Sequence, residues 1–368
     1  MPYAQGSVKE LNRKTVFELV AERGEITRIE IADETKSSVP TILKIMNFLE
    51  GERIVSLAGS EKTARGRYPQ VFRFEPDSIL GIGISFDGHH MTASLVNYYG
   101  EEKRCIQEDV TESFDYMMEN YFPAIVQALT ERMTRTYIRG IGICIGGTVD
   151  TDHSQIQLGG FSELIIRRNV EKSVQMLSRQ TGLPVYLFND VNAAAVGEYV
   201  LRKMKKEDLV YIYVSEETGA GIILDGKLRT GKNFYSGEVA HMVFDADFET
   251  AWNRPGWMER KLSRKAIEEA APEREGQIDY AARYISLVIA NLCNTMDIQN
   301  VVLGGETVKK LDPELFERTK TYLNHLTLFP VNLTRSVNER SALAGAAYLT
   351  VERQLSNILS DNGRENGT

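Results

Sequence analysis

The pattern of hydrophobic positions near the N-terminus predicts three short helices. Residues 9–22 carry apolar side chains at helical spacing, and Gly24 follows as a stop signal. Thr27 is placed to cap a second helix, and Ser38, followed by Pro40, is placed to open a third. A hydroxyl at the cap position accepts a first-turn N–H, and the first turn tolerates proline. We therefore predict a three-helix unit ahead of the first strands.

Two short apolar runs, 54–57 and 71–74, predict a β-hairpin after these helices, with Arg65-Gly66-Arg67 in its loop. Helices followed by a hairpin with a basic loop are typical of a winged helix-turn-helix, which places one helix in the major groove and the loop against backbone or minor groove. A unit of this kind can also serve protein contacts. We expect the DNA-binding residues to lie on the third helix and the loop: Ser38, Thr41, Lys44, Arg65 and Arg67.

A different order of elements begins after a predicted boundary at residues 75–77. Three strands, a helix and a strand follow one another, and the same order appears a second time. Both repeats end in a glycine pair, Gly146-Gly147 and Gly304-Gly305. The pattern predicts two α/β lobes facing a cleft, with ligands at the carboxyl ends of the strands. The predicted elements are 79–86, 91–96, 103–109, 113–133 and 138–145, then 210–214, 221–224, the stretch around Leu228, 280–296 and 300–303.

Composition narrows the function classes. The 368 residues are 42% hydrophobic and 26% charged, without the run of about 18 apolar residues that a membrane span needs. The N-terminus has no secretion-signal pattern, so we expect a cytoplasmic protein. Cys105, Cys144 and Cys293 are far apart and predict neither disulfides nor a thiolate metal site. The net charge of −8 excludes a uniformly basic surface and leaves DNA binding to a local module.

Two polar segments are candidates for the chemistry of the cleft. A predicted buried strand at 184–188 is followed by Asn189-Asp190 at the start of a helix. A carboxylate in this position can accept a hydrogen bond from a sugar hydroxyl or act as a base toward it. Taken alone, this pair is more often a helix cap. Further along, Glu238 and His241 stand three residues apart, which alone is weak evidence for a site.

Together these segments resemble the ROK family of sugar kinases and sugar-responsive repressors. The resemblance rests on residues 188–198, 222–231 and 237–242, and the N-terminal unit is similar to the repressor branch. It implies an α/β fold: a winged helix-turn-helix followed by a two-lobed actin-like, ribonuclease-H-like body of the ATPase type. It also implies a sugar or effector site made by Asn189, Asp190, Glu238, His241 and Glu259.

The sequence departs from this family at the positions that hold phosphate. The leading acid of the first phosphate motif is Ser85 here, and the second phosphate loop reads Ser215-Glu216-Glu217. Carboxylates in a turn that would bind phosphate through backbone N–H groups add repulsion. We therefore expect no nucleotide turnover, no catalytic residues and no cofactor.

The family's zinc site is also altered. Its three cysteine positions carry no cysteine, and two of them are Trp252 and Trp257. Since His241 alone cannot hold a structural zinc ion, we expect no metal. The sugar-contacting acid at Glu259 is retained.

These observations predict a sugar-responsive DNA-binding regulator, most simply a repressor of carbohydrate-utilisation genes, that acts as a homodimer or higher homo-oligomer on operator DNA. The alternatives are an active ROK-type sugar kinase with a DNA-binding domain, and a DNA-binding regulator whose ligand site is vestigial. The predicted domains are 1–75 for DNA binding, 76–188 with 340–358 for the first lobe, and 189–339 for the second.

Overall fold

The computed structural model describes residues 5–60, 70–86, 89–134, 137–158, 166–246, 256–338 and 340–360. The predicted wing residues Arg65 and Arg67 lie outside the described residues, as does Trp252. No helix in these described ranges is both long and apolar enough to cross a membrane.

The N-terminal unit has the predicted helices and hairpin strands. Thr27 caps the second helix in a reciprocal capping box with Glu30, and Ser38 caps the third, with proline in its first turn. An additional short strand, β1, pairs with β3 and completes a three-stranded sheet in the order β1-β3-β2. The elements are α1 (Gln5–Arg23), β1 (Glu25–Thr27), α2 (Arg28–Thr35), α3 (Val39–Gly51), β2 (Val55–Ser60) and β3 (Gln70–Phe74).

A five-stranded mixed sheet forms the core of the first lobe. Its strand order is β11-β7-β4-β5-β6, in which β4, β7 and β11 are parallel and β5 is antiparallel to both of its neighbours. A 3-10 turn at Pro76–Ser78 precedes it. Its elements and insertions are β4 (Leu80–Phe86), β5 (His90–Asn97), β6 (Glu102–Asp109), α4 (Phe114–Tyr116), a π-turn (Met117–Tyr121), α5 (Phe122–Thr130), β7 (Ile138–Ile145), β8 (Thr148–Asp150), β9 (Gln155–Leu158), β10 (Ile166–Asn169), α6 (Glu171–Thr181) and β11 (Val185–Asn189).

The second lobe repeats this topology. Its sheet has the order β14-β13-β12-β15-β16, in which the two pairs on one side of β12 are antiparallel and the two on the other side are parallel, as they are on either side of β4 in the first lobe. The predicted duplication is therefore confirmed. Its elements are α7 (Asp190–Leu201), β12 (Leu209–Val214), β13 (Thr218–Leu224), β14 (Lys227–Leu228), a 3-10 turn (Val239–His241), α8 (Glu259–Leu262), α9 (Arg264–Ala270), α10 (Arg274–Met296), β15 (Asn300–Gly304), α11 (Glu306–Leu311), α12 (Glu314–Leu326) and β16 (Asn332–Arg335). The helix α13 (Ser341–Leu359) follows them and returns to the first lobe.

Helices α7 and α13 cross in close contact. A Cβ on Gly345 would lie 1.8 Å from the carbonyl oxygen of Ala193, and one on Gly197 would lie 1.8 Å from that of Ser341. Only glycine permits this approach of two backbones. The fully buried Glu198 also accepts a 2.6 Å hydrogen bond from the Ser341 hydroxyl. The two helices therefore form one rigid pair.

The last two turns of α13 belong to the hydrophobic core of the N-terminal unit. Val351, Leu355, Ile358 and Leu359 are buried together with the apolar faces of α1, α2 and α3. This helix also covers the first sheet, since Gly81 and Gly83 on β4 approach its backbone. One helix thus contacts both the first lobe and the N-terminal unit, while the exact domain limits remain a prediction.

Candidate functional site

Asn189 and Asp190 lie at the carboxyl end of β11, where α7 begins. The Asn189 side chain caps α7 by accepting the Asn192 N–H at 2.8 Å, and its amide donates to the Gly147 carbonyl at 2.9 Å. The cap interpretation and the site interpretation are therefore compatible. The glycine pair after β7 lies beside this position, since the Gly147 carbonyl accepts the bond from the Asn189 amide and a Cβ on Gly146 would be in ordinary contact with the Asp190 carboxyl at 3.9 Å.

The carboxyl of Asp190 faces the cleft. One oxygen accepts the Val191 N–H at 2.8 Å and the Asn189 amide at 3.2 Å. Burial, and to a smaller extent the nearby Glu217 carboxylate, raises the pKa of Asp190 to about 6, although its two backbone hydrogen bonds act in the opposite direction. Its other oxygen is suited to accept a hydrogen bond from a hydroxyl group.

Glu238 reaches the same region from the second lobe. Gly237, with a φ of 90°, packs so closely on β13 that a Cβ there would lie 1.9 Å from the Ala220 carbonyl oxygen. The Glu238 side chain then interacts with Thr148 of the first lobe. Burial, followed by the carboxylates of Glu217 and Asp190, raises the pKa of Glu238. The two lobes therefore contribute to one site.

Glu259 is the most deeply buried acid of this group, at 3% exposure. One carboxyl oxygen accepts the Thr218 N–H at 3.1 Å, whereas the other has no hydrogen-bond partner among the described residues. The buried hydroxyl of Thr218 also has no partner within that set. Burial, ahead of Glu217 and Glu238, raises the pKa of Glu259 to about 8. A buried polar atom without a partner is costly and marks a place where a ligand can bond.

The turn between β12 and β13 adds Glu217, which was not among the predicted site residues. Glu217 is an exposed residue, yet the surrounding protein desolvates its carboxyl enough to raise its pKa. It also shifts the pKa values of Asp190, Glu238 and Glu259 upward. The sequence did single out this turn, but only for its effect on a nucleotide.

His241 occupies a more peripheral place than predicted. It ends the 3-10 turn that follows Glu238, its ring is largely exposed, and its remaining burial lowers its pKa. In the described part of the chain, no group of three or more His, Cys, Asp or Glu side chains could hold a metal ion. In the segment that corresponds to the zinc site expected from the resemblance, Trp257 packs against Phe244 and Tyr284, at ring-centroid distances of 5.7 and 6.2 Å.

A cavity of about 390 Å³ lies between the lobes beside Asp190. Ser85 at the end of β4 lines one side of it, and Gly304-Gly305 after β15 line the other. Ser85 thus brings a hydroxyl to the cleft at the position where the family's kinases were expected to carry an acid.

The candidate DNA-binding residues on α3 lie on its outer face. The Ser38 hydroxyl is 2.8 Å from that of Thr41 and accepts the Thr41 N–H at 3.3 Å, so it is already used as the helix cap. Lys44 is exposed one turn further along, and Ile45 on the opposite face is buried. The geometry leaves Lys44 and Asn47 available to an external partner.

Comparisons with known proteins follow the same division into an N-terminal unit and a two-lobed body. A family model described as the ROK family matches residues 81–282 and 248–353. The xylose repressor of Bacillus subtilis (strain 168) is 23% identical over 336 residues, covering 83% of this chain and 84% of that protein.

Among solved structures, a ROK family transcriptional regulator described as a homolog of the E. coli MLC protein superposes with a TM-score of 0.78 at 18% identity, covering 96% of this chain and 98% of its own. A ROK family glucokinase from Streptomyces griseus, in complex with glucose and AMPPNP, superposes with a TM-score of 0.58 at 20% identity, covering 73% and 98%. These likenesses show the fold: the kinase matches a smaller share of the chain than the regulator does.

Proposed function

This chain belongs to the ROK family, and we propose that it is a sugar-responsive transcriptional repressor whose kinase-like body senses its effector without catalysing phosphoryl transfer. The observation that carries the proposal is the presence, in one chain, of a helix-turn-helix unit and a polar cleft formed by both lobes. The similarity to a xylose repressor over 83% of the chain supports the same function.

We assign effector binding to Asn189, Asp190, Glu238 and Glu259, with His241 at the edge of the site. Their carboxyl and amide oxygens can accept hydrogen bonds from several hydroxyl groups at once, which suits a monosaccharide or a sugar derivative. Because Asn189 ends β11 of the first sheet and Glu238 precedes the 3-10 turn of the second lobe, a bound sugar would draw the two lobes together.

The route from this site to the DNA-binding unit runs through α7 and α13. Asp190 begins α7, which is locked to α13 at Gly345. At the far end of α13, the Leu359 carbonyl accepts a 2.7 Å hydrogen bond from Arg13. The Arg13 guanidinium lies 3.6 Å from the centre of the Phe48 ring on α3. A movement of the lobes would therefore reach the helix that carries Lys44.

The absence of kinase activity is part of the proposal. Ser85 replaces an acid at one side of the cleft, and Glu216 and Glu217 occupy the turn at the other. Negative side chains near the terminal phosphates of a nucleotide would repel them where a kinase needs donors and a metal ion.

We further propose that the protein acts in the cytoplasm as a homodimer or higher homo-oligomer. Two copies would present two α3 helices to the half-sites of an operator, since a two-fold protein suits a palindromic DNA site. The distance between those helices is the quantity that effector binding would change.

A thermal-shift panel tests the proposal. We expect an unmodified monosaccharide to raise the melting temperature without any nucleotide, because a ligand that binds only the folded state stabilises it. Stabilisation by Mg²⁺-ATP together with sugar turnover would support a kinase instead. A protein that binds its promoter DNA but responds to no sugar would have a vestigial ligand site.

A further inference from the structure

The two glutamates of the β12–β13 turn have different environments. The turn is closed by a 3.0 Å hydrogen bond from the Ser215 N–H to the Glu217 carbonyl, and the Arg264 N–H binds the Ser215 carbonyl at 3.0 Å. Glu216 points outward and forms an ion pair with the Arg264 side chain. Arg264, the first residue of α9, is therefore paired with Glu216, while Glu217 has no ion-pair partner among the described residues.

Glu217 lies beside the effector site assigned above. Its neighbour Thr218 donates its backbone N–H to Glu259, which fixes the turn against that buried acid. The Glu217 charge acts on Asp190, Glu238 and Glu259, so the carboxyl groups of four separate chain segments converge there. Such convergence disfavours the ionised forms of these groups, because like charges at short range repel one another.

A second, independent feature shows that the site has unused hydrogen-bonding capacity. Glu259 is 3% exposed and Thr218 is 5% exposed, and among the described residues neither the second Glu259 oxygen nor the Thr218 hydroxyl has a partner. In its neutral form Glu259 carries a hydroxyl that can donate to or accept from a sugar hydroxyl, as can the hydroxyl of Thr218. A phosphate dianion would instead bring negative charge beside the carboxylates of Glu217 and Asp190, which repel it.

We propose that this site takes an unphosphorylated sugar, neutral or carrying an ammonium group, and that Glu217 is the residue that excludes phosphorylated sugars. The inference rests on the sugar-sensing function proposed above and specifies its effector. Hydroxyl and ammonium groups donate to carboxylates, whereas a phosphate dianion is repelled by them, so one side chain both favours the first class and rejects the second.

Isothermal titration calorimetry on the full chain tests this with matched pairs: glucose and glucose 6-phosphate, N-acetylglucosamine and its 6-phosphate, with xylose and glucosamine as further unphosphorylated probes. In the pair that binds, we expect the dissociation constant of the phosphorylated sugar to be at least ten times that of the unphosphorylated one. Glu217→Gln, which keeps the shape and removes the charge, should reduce this ratio of dissociation constants threefold or more. Glu216→Gln, on the outer side of the same turn, should leave the ratio unchanged.

The possible results separate this inference from the function on which it rests. A phosphorylated sugar that binds as tightly as its partner, or a ratio that Glu217→Gln does not alter, would overturn the inference while leaving a sugar sensor. Binding of no sugar of either class, by protein that still binds promoter DNA, would overturn the sugar-sensing function itself.

Discussion

Replacing Glu259 with glutamine tests the claim that the effector site holds a buried, neutral acid. The glutamine side-chain oxygen can still accept the Thr218 N–H, whose nitrogen lies 3.1 Å from the Glu259 carboxyl oxygen, so the local contact is kept. The substitution removes the carboxyl group of Glu259, which can titrate. Burial, before the neighbouring carboxylates, raises the pKa of Glu259 from 4.5 to about 8.

The direction of the pH effect follows from proton linkage. Between pH 4.5 and about 8 the folded protein retains a proton on Glu259 that the unfolded chain has released. The free energy of unfolding therefore falls as the pH rises through this window, by up to about 1.4 kcal/mol per pH unit, and the loss is complete above it. Since glutamine does not titrate, the free energy of unfolding of the variant should fall by about 2 kcal/mol less than that of the wild type between pH 6 and pH 8.

Urea denaturation of the wild type and Glu259→Gln at pH 6, 7 and 8 measures this difference. We expect the variant to gain stability relative to the wild type at each step. Glu216→Gln is the control, because that carboxylate is exposed and paired with Arg264 and should show no comparable trend. A difference between Glu259→Gln and wild type that is the same at all three pH values would refute the assignment of a buried neutral acid.

Three further substitutions test the DNA-binding face, the effector contact and the helix pair. Lys44→Ala should weaken DNA binding about three- to tenfold and reduce the dependence of log affinity on log salt by about one, because one phosphate contact is lost; an unchanged salt slope in anisotropy titrations, with exposed Lys172→Ala as control, would remove α3 from the interface. Asp190→Asn should weaken sugar binding in calorimetry by tenfold or more without lowering thermal stability, since it removes a desolvated charge; equal affinity would exclude Asp190 from the site. Gly345→Ala should cost about 2 kcal/mol or more in the free energy of unfolding, because its Cβ would lie 1.8 Å from the Ala193 carbonyl oxygen; the exposed Ser356→Ala on the same helix is its control, and equal melting temperatures would show that the helix pair is not tight.

Local signals were enough to predict much of the fold. Thr27 and Ser38 cap the helices that they were predicted to cap. Such caps can be predicted from sequence because they depend on residues only three positions apart. The duplicated lobes also followed from alternating patterns along the chain. The ROK resemblance supplied the identity of the fold, which periodicity alone does not give.

Features that depend on distant contacts were missed. Strand β1 has three residues and exists because Ile26 pairs with Phe72 across the small sheet. Strand β16 (Asn332–Arg335) lies at the sheet edge and has a mostly polar sequence, so the apolar residues that would predict a strand are lacking there. The crossing of α7 and α13 depends on glycines whose partners are more than a hundred residues away.

In the site, too, some residues could be predicted from local sequence and others could not. Asn189 and Asp190 could be placed from the strand that precedes them, and the structure puts them where parallel strands end. Glu259 entered only through the family resemblance, since nothing in its local sequence marks a buried acid. Glu217 was noticed as a misplaced charge, but its position opposite Asp190, Glu238 and Glu259 required the assembled lobes.

The most direct test of the account is the affinity of the full chain for a fluorescent fragment of its own promoter, measured by anisotropy with and without a saturating unphosphorylated sugar. The account predicts salt-sensitive binding that the sugar weakens by at least tenfold, equally well whether or not Mg²⁺-ATP is present. Affinity that no sugar changes, or that changes only as ATP is consumed and the sugar is phosphorylated, would contradict it.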